Sequence, residues 1–143
     1  MDYRVLAADE LKRLRHNYTA EKTIQLRILE LDSLLKSSGQ GSGGTTPTGG
    51  GGNKTEYKWL SLISSIDDEK RRLKKVTREI KRVELALSAI TEEEARILRL
   101  LYVENRNIDD VAGIEHMSRA TAYRTRDKAL ASFTRALCGA VVT

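Results

Sequence analysis

The stretch IDDVAGIEHMSRATAYRTRDKAL, residues 108–130, decides how the fold is read. Ile108, Val111 and Ala112 mark a short helix of about residues 107–113. A tight link through Glu115, His116 and Met117 follows, and then Ser118, whose hydroxyl suits it to cap the next helix. The inward positions of that last helix are Ala122, Thr125 or Arg126, Ala129, Phe133 and Leu137. Two helices joined this way have the sequence form of a helix-turn-helix, in which the second helix enters the DNA major groove by its N-terminal end. Its exposed side chains would be Ser118, Arg119, Ala120, Thr121, Tyr123 and Arg124, with Arg126 and Lys128 further along. Arginine can pair with the O6 and N7 edge of guanine, alanine and threonine can meet a thymine methyl, and later basic residues can reach phosphates. Residues 118–135 carry Arg119, Arg124, Arg126, Lys128 and Arg135 against Asp127, so positive charge gathers where a groove contact needs it. His116 falls where a turn residue tolerates positive φ, which explains it more simply than a ligand or a base.

Upstream, Thr91 is followed by Glu92, Glu93 and Glu94, the pattern of a capping box with acids at the positive end of the helix dipole. A helix of about residues 92–104 follows, with Ala95, Ile97, Leu98, Leu101 and Tyr102 as its apolar face, stopped by the polar segment ENRN. The three glutamates are not a paired-carboxylate site, because adjacent helical residues point in different directions.

Before Thr91 lies the strongest periodic signal in the chain. Trp59, Leu62, Ile66, Leu73, Val76, Ile80, Val83, Leu87 and Ile90 alternate at spacings of three and four, and Glu69 alone breaks the register. The stripe predicts a long coiled-coil-like helix over 54–90, with Trp59 in its core. Lys70, Arg71, Arg72, Lys74, Lys75, Arg78, Lys81 and Arg82 make it also the most basic run, a pattern that fits a solvated face or a grip on backbone phosphates or polymerase. Residues 39–53, GQGSGGTTPTGGGGN, hold eight of the ten glycines and the single proline and predict a flexible linker. Residues 1–38 form the preceding helical segment, amphipathic from about 20 to 37 and helical from 3 to 18, with a break expected near 17–19. The two long segments predict an N-terminal helical hairpin, and the heptad stripe leaves open whether it pairs within one chain or between two.

Composition bounds the rest. The chain has 143 residues, 31% charged and 5% aromatic, with one proline, an inventory that favours an all-α fold. Twenty-five Lys and Arg against twenty Asp and Glu give a net charge of +5, which suits a polyanionic partner. One cysteine, Cys138, excludes an intramolecular disulfide, and with only His16 and His116 there is no metal-ligand spacing. No apolar run spans a bilayer, and the N-terminus lacks the form of an export signal. No nucleophile-base pairing or phosphate-binding glycine loop appears, so the expectation is a cytoplasmic protein that is not an enzyme and needs no cofactor.

The run TEEEARILRLLYVEN from Thr91, then IDDVA from Ile108, then MSRATAYRTRDKAL from Met117, resembles region 4 of sigma-70-type factors. With the long helix before it, the chain is similar to the RinA/ArpU-type phage regulators of late transcription, over about residues 85–137. The resemblance implies a sigma-region-4-like domain over 91–138 that binds promoter DNA in a bacterial host cell, with RNA polymerase and a second copy as further partners. Ser118, Arg119, Thr121, Tyr123 and Arg124 match that family's contact helix, and Val111, Ala112, Ala122, Ala129 and Leu130 its packing residues. The chain departs from the pattern at the turn, where members place an apolar residue and then glycine and this chain has Glu115 and His116. It departs again at Gly113, in the supporting helix.

The function these residues predict is a sequence-specific DNA-binding transcription regulator of phage or prophage late genes. A small terminase-like DNA-packaging subunit is the alternative, since it also pairs a helix-turn-helix with a helical oligomerisation arm. A pure interaction module, with the arm binding a protein and the last helices only packing, is a third.

Overall fold

A computed structural model describes residues 2–43 and 51–142, with side chains described for residues 2–37 and 56–139. The described chain is all-α: α1 (Tyr3–Gly43), α2 (Gly51–Ser88), α3 (Glu92–Leu98), a π-helical turn (Arg99–Val103), α4 (Ile108–Ile114) and α5 (Arg119–Val142). The helices run further into the glycine-rich stretch than its composition suggests, to Gly43 on one side and from Gly51 on the other. Residues 44–50, the middle of the expected linker, lie outside the described residues. α1 is continuous through residues 17–19, where a break was expected. The Thr19 hydroxyl donates to the Arg15 carbonyl one turn back at 3.5 Å, a back-bond that an unbroken helix accommodates.

The chain divides into two compact units, residues 20–77 and residues 1–19 with 78–143. In the first, segments of α1 and α2 pair antiparallel: Thr77 donates to Glu21 at 3.1 Å and Arg27 meets Glu69 at 3.3 Å, so the partner number falls along α2 as it rises along α1. Ile24 and Ile66 are buried between them. Glu69, the acid in the apolar register, is only 8% exposed and is held by Arg72 at 3.0 Å as well as by Arg27. Two cations at its rim let a carboxylate occupy a core position without being left unpaired. Burial fades toward the start of α2, and Trp59, expected in the core, is 42% exposed.

The second unit holds the main core. Leu11 and Leu14 of α1, Val83 and Leu87 of α2, Ile97 and Leu98 of α3, Val111 of α4, and Leu130 and Phe133 of α5 are each at most 2% exposed. Arg82 donates to Glu10 at 2.8 Å beside this core. The capping box forms as its sequence predicts: Thr91 Oγ1 accepts from Glu94 N–H at 3.2 Å and Glu94 Oε1 accepts from Thr91 N–H at 3.1 Å. Where the sequence predicts one helix to residue 104, the backbone widens into the π turn after Leu98. Glu104 N–H reaches the Arg99 carbonyl at 2.8 Å, and Asn105 ends the turn at φ 59. The wider turn rotates the face that follows Leu98, so Leu101 and Tyr102 end half-buried.

Candidate nucleic-acid interface

Each helix of the C-terminal pair is started by a side chain. Asn107 Oδ1 accepts from Asp110 N–H at 2.8 Å to open α4, and Ser118 Oγ accepts from Thr121 N–H at 3.1 Å to open α5. Between them α4 ends in a Schellman closure: Met117 N–H donates to the Ala112 carbonyl at 2.9 Å and His116 N–H to the Gly113 carbonyl at 3.3 Å. The closure needs a left-handed residue, and His116 supplies it at φ 55, as its place in the turn predicts. Gly113 adopts no glycine-only conformation, and a Cβ there would meet nothing within 4 Å. Val111, Ala112 and Ala122 are buried where the two helices meet, and the small alanines let the backbones approach.

Glu115 stands in the turn between α4 and α5. Its side chain is 11% exposed, and Arg96 of α3 grips it with Nε and Nη2, each at 3.1 Å. That fork lets a carboxylate occupy a nearly closed position in the turn, and it raises the Arg96 pKa above arginine's ordinary value.

α5 buries Ala122, Ala129, Leu130 and Phe133, and at 100° per residue the opposite side carries Ala120, Thr121, Arg124, Lys128 and Arg135, all exposed. Among the described residues no carboxylate lies within ion-pair distance of Arg124 or of Lys128 one turn on, although the Lys128 charge helps lower the Glu94 pKa. Ser118 is exposed at the helix start and donates to Thr121 Oγ1 at 2.8 Å. Arg119 and Tyr123 sit on the adjoining flank. The Arg119 guanidinium lies 5.8 Å from the Tyr123 ring centre and its Nε is 3.3 Å from Asp109 Oδ1. Its pKa is raised, first by the Tyr123 side chain and then by the Asp109 carboxylate.

Arg126 does not share the outward face. Its side chain is 29% exposed, it stacks over Tyr123 at 4.9 Å and it donates to Asp127 at 2.8 Å. It also lines a groove with Asp2, Arg4, Lys12 and Tyr102. The structure therefore gathers Ala120, Thr121, Arg124 and Lys128 on one face, places Ser118, Arg119 and Tyr123 at its edge, and turns Arg126 away. Asp109 is the residue that sequence reasoning missed, because its approach to Arg119 is set by the turn between the helices and by no local spacing.

Among the described residues no cluster of His, Cys, Asp and Glu could hold a metal ion, and no helix is long and apolar enough to cross a membrane. Cys138 is exposed. Fold and site together define an all-α protein whose last helix presents a basic face beside a tight turn. The chain belongs to the family described as protein of unknown function (DUF722), whose model matches residues 7–135. No curated protein and no solved structure matches it.

Proposed function

We propose that this protein is a sequence-specific DNA-binding regulator of transcription, of the kind that controls phage or prophage late genes, and that α5 reads the major groove from Ser118 onward. One observation carries the reading: Thr121, Arg124 and Lys128 project together from the first three turns of a capped helix that a four-residue turn joins to α4. Residues free of internal ion pairs can meet base edges and phosphates without first giving up a partner. Thr121 and Ala120 suit a thymine methyl, Arg124 a guanine edge and Lys128 a phosphate. RNA polymerase and a second copy of the chain are the further partners that the resemblance to sigma region 4 suggests.

The test is a selection of random duplexes by the purified protein at two salt concentrations. A consensus that survives the higher salt is the expected result, and its symmetry gives the number of copies bound. Salt-labile binding without a consensus overturns the reading. A large ring by light scattering would instead favour a packaging subunit.

A further inference from the structure

Of Arg119 and Arg124, Arg119 is the one that an ion pair within the protein holds in place. Its Nε is 3.3 Å from Asp109 Oδ1, and the Tyr123 ring lies 5.8 Å from the guanidinium carbon. Tyr123 is gripped in turn by Arg126 at 4.9 Å, and Arg126 is anchored to Asp127 at 2.8 Å. The Asp109 and Arg119 side chains are 68% and 67% exposed, and an ion pair so open to water contributes little to stability. The helix dipole accounts for an acid at Asp109, in the first turn of α4, but not for its pairing with Arg119, which needs an explanation other than folding.

The donor geometry supplies one. The Asp109 carboxylate lies 3.3 Å from Nε as an ion pair, so its charge draws that edge of the planar guanidinium toward α4. The terminal Nη groups, which Asp109 does not pair, can make a two-point contact with guanine O6 and N7. We propose that Asp109 is a specificity-determining positioning residue, which fixes the Arg119 guanidinium against α4 so that its free end meets one base pair in a single orientation. This rests on the reading of α5 as the DNA-contacting helix.

Asp110 provides the control. It lies in the same first turn of α4, is exposed and has no ion pair among the described residues, so Asp110→Asn removes the same charge without touching Arg119. Binding of the full-length parent, Asp109→Asn, Asp110→Asn, Arg119→Ala and the Asp109→Asn/Arg119→Ala double variant is measured on the selected duplex and on a scrambled duplex. Both Asn variants should bind the scrambled duplex as well as the parent does, or better, because a negative charge has gone. On the selected duplex Asp109→Asn should lower the ratio of specific to scrambled affinity by about three- to ten-fold, the size expected when a flexible side chain is ordered on binding instead of beforehand. Asp110→Asn should leave that ratio unchanged, and Asp109→Asn should cause no further loss when Arg119 is already alanine. An unchanged ratio in Asp109→Asn, an equal fall in Asp110→Asn, or a full further loss in the double variant overturns the assignment while leaving α5 as the reading helix. A parent that does not distinguish the two duplexes overturns both.

Discussion

Arg96 and Glu115 join α3 to the turn between α4 and α5 through two parallel hydrogen bonds of 3.1 Å. The contact spans nineteen residues of sequence and fixes the turn from outside the helix pair. Because the Glu115 side chain is 11% exposed and Arg96 56% exposed, the two ends differ in what their loss does. Arg96→Ala leaves a nearly buried carboxylate unpaired and should lower stability. Glu115→Leu fills the same position without a charge and should be close to neutral. Chemical denaturation of both variants checks the asymmetry, and equal losses would contradict it.

Glu94 links the start of α3 to α5, accepting from Thr91 and from Ser132 Oγ at 2.7 Å. Burial raises its pKa, but the hydrogen bonds from Ser132 and Thr91 outweigh it and leave the value below the ordinary carboxylate one. A pKa lowered by folding stabilises the native state above the unfolded value, near 4.5, and the gain is lost as pH falls through the lower folded value. Ser132→Ala should therefore be less stable than the parent at neutral pH, and the gap should narrow as pH falls below the ordinary carboxylate value. Denaturant midpoints across that range read the difference, and a gap that widens in acid would reverse the sign.

Arg124 and Arg126 are two residues apart on α5 and should behave differently. Arg124 projects outward, so Arg124→Ala should weaken binding to the preferred duplex by about 1–3 kcal/mol with no loss of stability. Arg126 is packed on Tyr123 and paired with Asp127, so Arg126→Ala should lower the melting temperature more than it alters base preference. Parallel melting and binding curves separate the two. Lys128→Gln, on the outward face, should lower the salt dependence of binding by about one phosphate contact.

His116 occupies the left-handed region at φ 55, where a side chain is strained. His116→Gly should gain about 0.5–1 kcal/mol of stability, and His116→Val should lose more than that. Neither change touches the basic face of α5, so base preference should stay the same in His116→Gly. A glycine variant that is less stable than the parent would mean that the imidazole contributes a contact outweighing the strain.

The last fifty residues were legible because their signals are local. Thr91 and Ser118 announce helix starts through hydroxyl groups that satisfy N–H groups three residues on, and the buried alanines of α5 follow from its period. The all-α class follows from the same local preferences, as does the left-handed His116. Tertiary structure alone decided that the acid Glu69 is held in a core register, that the helix after Leu98 opens into a π turn, and that Trp59 stays exposed. It also decided that Arg96 is taken by Glu115 and Arg119 by Asp109, while Arg124 keeps no ion pair. Ion pairs between residues ten or more positions apart depend on where helices meet, and no periodicity in one helix records the position of another.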